Sequence, residues 1–331
     1  LNGPDGFAVR AAFLWRVAKM VLSVNVEQQG CNDCCGSSGQ GMTSRGGQAM
    51  ISIQYFEPPP ALRLHVSALY WFETAAPGFS DLMRAELGQI RLLVDGVARN
   101  NYKSGKQWEG SGAILQGPTT APTHYSANTR LRLFGIGLLP LGWAELIGLS
   151  ADELADNATD LSSVLPPALV TDLMDALARA STNAGRARVV TDFLQARLAA
   201  NRHAARWFTR LADEWLTASP NPQVDALVAA SGMSSRSVER LTNRLYGASP
   251  KLLARKYRAL SAAVRLGMGD AQGWSDAAGD AFYDQAHFIR EFSAFTGLTP
   301  ARFQAQLAPL TRATMTQRRQ LPGLPSLVRI A

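Results

Sequence analysis

Cysteine is nearly missing from this chain: Cys31, Cys34 and Cys35 are its three copies, all inside CNDCCGSSGQG, so nothing beyond position 35 can join a disulfide. Such usage suits a reducing cytoplasm. The spacing hints at a metal knuckle, but a structural zinc site takes four ligands and no His lies near the cluster in sequence. Free thiols in a flexible segment are the simpler reading. Long apolar runs are missing as well. The one extended apolar stretch near the start, FAVRAAFLWRVAKMVLSVNV, is broken by Arg10, Arg16 and Lys19, whereas a membrane span needs about 20 mostly apolar residues. No membrane partner is expected. What the chain does have is 331 residues that are 47% hydrophobic, enough for a sizeable core and, by length, for two or three domains.

Residues 1–49 do not read as a domain. They begin with Leu, and GCNDCCGSSGQGMTSRGGQA is small, polar and without helical or strand period. Met50 then opens ISIQYFEPPPALRLHVSALYWFE, which has the composition of a folded start, and Arg45-Gly46-Gly47 just before it implies G-rich codons of the ribosome-binding type. The expectation is a disordered, non-native leader with Met50 as initiator. The alternative, a basic targeting peptide, lacks a small-residue cleavage site directly after an uninterrupted apolar core.

Charge is unevenly placed. The net charge is +7, and residues 223–331 hold 14 Lys/Arg against 7 Asp/Glu, leaving 19 of each elsewhere. A basic module on a neutral body is the footprint of polyanion binding, although a solvated face can also be basic.

From 50 to 148 the punctuation is that of a β-rich domain: LHVSALYWFE, QIRLLVDGV and RLRLFGIGLL are separated by EPPP and QGPTTAPT. A jelly-roll of the cupin kind is expected. Its metal ligands would have to come from His65 and His124, with Glu73 and Glu86, which makes a cupin-type metalloenzyme fused to a DNA-binding tail the alternative reading. Tyr70, Trp71, Phe72, Trp108 and Trp143 are candidates for an apolar pocket or plain core. From 149 to 217 the period becomes helical, with Leu161, Leu165, Leu169, Leu173 and Leu177 at fourfold spacing, so this segment reads as a helical connector. ASPNPQ at 218–223 reads as a linker.

The tail spells one motif twice. Gly247-Ala248-Ser249-Pro250 follows Arg240 as Gly297-Leu298-Thr299-Pro300 follows Arg290. Gly ends a helix in the left-handed conformation, Ser or Thr caps the next, and Pro suits its first turn. Upstream of the first copy, Leu227 and Val228 bury one helix, Gly232 turns, Ser234 caps a second, and Val238, Leu241 and Leu245 form its inner stripe. The spacing predicts a helix-turn-helix. Arg236, Ser237, Glu239, Arg240 and Asn243 take the opposite face, where Arg suits guanine, Glu cytosine and Asn adenine. In the second copy Ala277, Phe282, Phe288, Phe292 and Phe295 point inward, and Gln285, His287, Ile289 and Arg290 supply the outward candidates. SPKLLARKYRALSAAVRLGM is an amphipathic spacer helix, carrying Lys251 as a phosphate contact. Two recognition helices held one DNA turn apart, roughly 34 Å, would enter successive major grooves.

The region from Val224 to Phe303 resembles the DNA-binding domain of the AraC/XylS family of bacterial transcription regulators, through SVERLTNRLYGASP and, more specifically, FYDQAHFIREFSAFTGLTP. FEPPPALRLHV and FGIGLLPLGWAELIG resemble the sensor-type domain of one subgroup. The resemblance implies an α+β multidomain regulator with a β-rich sensor domain, a helical connector, an all-α domain at 218–310 with two helix-turn-helix units, and a flexible tail at 311–331. It implies base contacts from Arg236, Glu239 and Arg240 in the first unit and from Gln285, Ala286 and Arg290 in the second. Its partners would be double-stranded DNA, RNA polymerase, a small-molecule effector and a second copy of the chain, with no cofactor and no enzyme chemistry. A DNA-repair alkyl acceptor would need a reactive Cys in a folded region, and every Cys here lies in the leader. Two departures stand out. Ala281 occupies the position before the aromatic Phe282 where the family has Gly, and Asp276 and Gly279 fall where apolar residues are expected, so the helix starting near Trp274 should be short or loosely packed.

Overall fold

A computed structural model describes residues 51–74, 78–200, 206–307, 309–320 and 325–330. The expected leader lies outside them. The first part is a two-layer antiparallel sandwich. β1 (Ile51–Phe56), β2 (Val66–Thr74), β9 (Leu131–Leu138), β4 (Gln89–Asp95), β7 (Ala113–Gln116) and β10 (Ala158–Asp160) form one sheet in that order. β3 (Phe79–Met83), β8 (Thr123–Ala127), β5 (Ala98–Tyr102) and β6 (Gln107–Gly110) form the other.

Strand alternation decides what each face meets. In β2, Leu69 and Trp71 join one core while Ala68 and Phe72 join the one between the sheets. In β4, Ile90 and Leu92 go outward and Leu93 inward, which carries Arg91 inward with it. The outward face is covered by α1 (Pro167–Arg179) and α2 (Asn183–Ala200), whose Val170, Leu173, Leu177, Val190 and Leu194 are buried against Phe134 and Ile136. Each such fully buried aliphatic side chain contributes about 1.5–3 kcal/mol.

The helical part contains α3 (Arg206–Ala218), α4 (Val224–Ser231), α5 (Ser235–Tyr246), α6 (Pro250–Gly267), α7 (Trp274–Ala278), α8 (Gln285–Thr296), α9 (Pro300–Ala305), α10 (Pro309–Gln320) and α11 (Ser326–Ile330). α4 and α5 form the first helix-turn-helix, and α7 and α8 the second. At 18 residues α6 is about 27 Å long and runs between them.

Four expected features come out differently. The β-domain does not end at 148, because β10 pairs with β7 and Leu161 and Leu165 are buried in the same core. The fourfold leucine series is not one helix: Pro166-Pro167 starts the helix, and Val170, Leu173 and Leu177 form its buried stripe. ASPNPQ is a closed turn rather than a free linker, since Pro222 is buried and the Trp215 indole donates to the Gln223 carbonyl at 2.8 Å. The described residues of the expected flexible tail are ordered into α10 and α11, and Leu327 and Val328 are fully buried in one core with Phe208 and Leu216 of α3 and Leu227, Val238 and Leu245 of the first helix-turn-helix.

Candidate nucleic-acid interface

Local chemistry sets both recognition helices. In the first unit Gly232 turns the chain at φ 65°, the Ser234 hydroxyl accepts from the Ser237 N–H, and Gly247 ends α5 at φ 74°. In the second, the Asp284 carboxylate accepts from the His287 N–H and Gly297 ends α8 at φ 81°. Ser249 and Thr299 then cap α6 and α9, each followed by Pro. Both copies of the repeated tetrapeptide are therefore a helix stop followed by a helix start.

Inside the units the expected stripes are buried. Val238 and Leu245 are buried and Leu241 is half-buried against them. In the second unit Phe288, Phe292 and Phe295 are buried and Phe282 packs edge-on to Phe288, with ring centroids 4.9 Å apart. The helix α7 is five residues long and ends at Gly279, and Asp276 sits outside the core, paired with Arg265 at 2.8 Å. Arg255 grips Glu291 through two hydrogen bonds of 2.8 Å, joining α6 to α8; Arg255 holds the Glu291 carboxyl below the ordinary carboxylate range, against the opposing effect of burial.

Of the candidate base readers, Arg236, Glu239 and Arg240 are exposed on α5, Gln285, Ala286 and Arg290 on α8, and Lys251 on the first turn of α6. Ser237 and Asn243 are half-buried. Ser237 works in the cap, with its hydroxyl 3.0 Å from that of Ser234. His287 is also used locally: its Nδ1 accepts from the Tyr283 N–H at 3.3 Å and its ring packs on Phe282. Ile289 is half-buried against the second unit's core rather than facing out. Two residues near these faces escaped the sequence reading. Arg244, one turn beyond Arg240, shares the α5 face, and Tyr283 stands 94% exposed just before α8. A helix-helix turn can bury one ring of a Phe-Tyr pair, which is the signal that marks Tyr283.

The α5 face is open to solvent on one side and bordered by the β-domain on the other. Arg236, Glu239, Arg240, Asn243 and Arg244 line an open cleft of about 900 Å³, measured out into solvent, whose far wall is Ser150 and Asp152 of the β-domain. The helix-ending turns dock on the β-domain too. A Cβ at Gly247 would lie 2.5 Å from Pro118 Cγ, and one at Gly297 would lie 2.7 Å from Leu82 Cδ2. Between them Lys256 of α6, 3% exposed, donates from Nζ to the carbonyls of Glu86 and Thr119, both at 2.8 Å, and the Ala85 N–H donates to the Phe295 carbonyl at 2.8 Å.

Burial pushes the Lys256 ammonium down to about 8. A lysine whose pKa is lower folded than unfolded binds fewer protons when folded, so its burial cost is full below pH 8 and shrinks as pH rises toward the ordinary lysine value. The expected result is that wild type gains stability relative to Lys256→Met between pH 8 and 10. A flat difference in melting temperature across that window would place the ammonium in solvent.

The candidate metal ligands do not come together. His65 Nε2 lies 2.7 Å from Glu145, which Arg206 also grips at 2.9 and 3.0 Å; His124 is exposed; Glu73 pairs with Arg130; Glu86 lies within the sandwich. Among the described residues no group of three or more His, Cys, Asp or Glu is placed to hold a metal. Of the aromatic candidates, Tyr70 and Phe72 line the cavity between the sheets, whereas Trp71 and Trp143 face α1 and α2 and Trp108 packs against the sandwich core.

Residues 227–306 match the family model of a helix-turn-helix domain. They are an AraC-type helix-turn-helix domain. Among solved structures, the chain is similar to ToxT from Vibrio cholerae at 8% identity, covering 72% of this chain and 97% of that one, with a TM-score of 0.43. A cupin superfamily protein from Desulfitobacterium hafniense matches at 15% identity over 29% of this chain and 83% of its own, with a TM-score of 0.22. The EutQ protein of Clostridium difficile matches at 12% identity over 27% and 68%, with a TM-score of 0.22. No curated protein matches. The AraC-type domain contains both recognition helices; it begins inside α4 and ends just past α9.

Proposed function

We propose that this chain is a sequence-specific transcription regulator in which the AraC-type domain binds DNA and the β-domain receives a small-molecule signal. The observation that carries the reading is the paired construction of α5 and α8: each is capped, ends at a left-handed Gly, and presents exposed Arg and amide or carboxylate side chains on its outer face. Arginine and lysine contacts to phosphate supply most affinity, and a few base-edge contacts supply choice. A major groove about 12 Å wide must receive α5, so duplex DNA engages the first unit only when the Ser150–Asp152 wall withdraws. The β-domain thereby controls access. RNA polymerase, a second copy of the chain and a cytoplasmic location complete the reading and come with the family resemblance; no helix of the described residues is long and apolar enough to cross a membrane. Nothing in this reading calls for enzyme chemistry.

The test compares two substitutions on a set of operator variants. Arg240→Ala should cost about 1–3 kcal/mol and relax preference at one base step, whereas Lys251→Ala should weaken all sequences evenly and lower the salt slope by about 1. Uniform losses from both changes would remove Arg240 from base reading.

A further inference from the structure

Three arginines lie along one stripe of α6, three and seven positions apart, and each holds the second unit at a different point. Arg255 grips Glu291 at the middle of α8, Arg258 donates to the Ala281 carbonyl in the turn between α7 and α8 at 3.1 Å, and Arg265 pairs with Asp276 of α7 at 2.8 Å. Arg258 also reaches the other unit. Its Nη1 carries two N–H groups, and the second goes to Asn221 Oδ1 at 2.9 Å. Asn221 belongs to the closed turn at 218–223 that leads into α4, and it is tied down there: its N–H donates to Ser219 Oγ and its carbonyl accepts from Gln223 Nε2, both at 3.1 Å. The Arg258 guanidinium lies 5.3 Å from the ring centroid of Phe282, which packs on Phe288 of α8. One side chain thus spans the entry of the first unit and the turn of the second.

The bridge supplies something that α6 cannot supply alone. A straight helix fixes how far apart the two units stand, but each is attached to it through a turn, at 247–249 and at 268–273, so side chains must set how the units are rolled about its axis. Arg258 Nε is buried without a hydrogen-bond partner. A guanidinium placed for its own satisfaction would not leave that donor bare, so the two-way bridge is what sets its position. Nor does the bridge involve the β-domain. Lys256, two positions earlier, donates to the Glu86 and Thr119 carbonyls there, whereas the partners of Arg258 all lie in the helical part and stay in place when the Ser150–Asp152 wall withdraws.

We propose that Arg258 is a positioning residue: by joining the 218–223 turn to the turn between α7 and α8 it fixes the angle between α5 and α8, and so selects operators by the distance between their two half-sites. This rests on the reading of the chain as a DNA-binding regulator and deepens it, from which bases each unit prefers to how far one unit tolerates displacement relative to the other. One inserted base pair moves a half-site about 3.4 Å along the duplex and about 35° around it. A fixed pair of helices can follow neither movement, so one unit forfeits base contacts.

The experiment uses the full chain. Wild type first selects duplexes from a random library; the selected site is then rebuilt with one base pair removed and with one or two inserted between its half-sites, and Kd is measured by fluorescence anisotropy. Wild type should lose about tenfold or more in affinity on a one-base-pair insertion, whereas Arg258→Met should lose about threefold or less over the same step while binding the original site several-fold more weakly. A chain that is merely less stable loses affinity for every spacing alike, so the ratio between spacings separates positioning from folding. Asn221→Ala removes the acceptor on the first unit's side and leaves the core of the second untouched. It should shift the ratio in the same direction, and it decides the matter if Arg258→Met does not fold. An unchanged ratio in either folded variant, or a wild type indifferent to spacing, overturns the proposal and leaves the selected sequence, with the DNA-binding reading, standing. Failure of wild type to select any sequence overturns both.

Discussion

Phe292→Ala is expected to remove about 3–5 kcal/mol of folding stability, the largest loss from any single truncation in the AraC-type domain. Phe292 is fully buried on α8, with ring centroids 5.4 Å from Phe288 and 5.3 Å from Phe303. The neighbouring α7 is only five residues long and brings Ala277 and Ala278 to the core, so aromatic rings do the filling that a longer helix would share. Small side chains cannot close the hole, which puts the cost toward the upper end. Urea unfolding should show a lower midpoint at unchanged slope. A loss below about 1 kcal/mol, the scale of an ordinary surface change, would mean that the second unit is loosely packed throughout.

The second large effect is a contrast among glycines. Gly232 and Gly247 have similar left-handed backbones, φ 65° and 74°, but a Cβ at Gly232 meets nothing within 4 Å, whereas one at Gly247 meets Pro118 Cγ at 2.5 Å and the Ala151 carbonyl oxygen at 3.1 Å. Gly232→Ala should therefore cost only the backbone term, about 1–2 kcal/mol. Gly247→Ala should cost that plus about 1–3 kcal/mol of forced overlap, because a proline ring and a carbonyl have no alternative rotamer. Gly297→Ala should fall between them, since its nearest neighbour is the movable end of Leu82. Chemical denaturation of the three variants measures the order. Equal losses at Gly232 and Gly247 would show that the first turn does not press on the β-domain in solution.

What was readable in the sequence is what short stretches of chain decide for themselves. Ser234, Ser249, Asp284 and Thr299 cap helices through bonds to residues three positions on, and Gly232, Gly247 and Gly297 end them, so both units could be placed before any tertiary contact was known. Arg236, Glu239, Arg240 and Arg290 followed from the same periodicity. The features that escaped are decided by residues far apart. β10 is three residues long and becomes a strand only through pairing with β7. Thr314 is buried because Tyr55, 259 positions away, receives it. Arg91 shares the inner face of β4 with Leu93, and which face is inner is decided only when the two sheets pack. The cleft facing α5 depends on Ser150 and Asp152, which carry no local mark of meeting a recognition helix.

The core that α3 and α11 share with α4 and α5 also fixes where the chain can be cut. A fragment running from 220 to 310 would leave behind Phe208, Trp215 and Leu216 on one side and Leu327 and Val328 on the other, baring Leu227 and Tyr246 to water. Such a piece would misrepresent the first unit in any binding assay. An excision from Arg206 to residue 330 keeps every helical contribution to this core and gives up only Leu87 and Leu139, which the β-domain supplies.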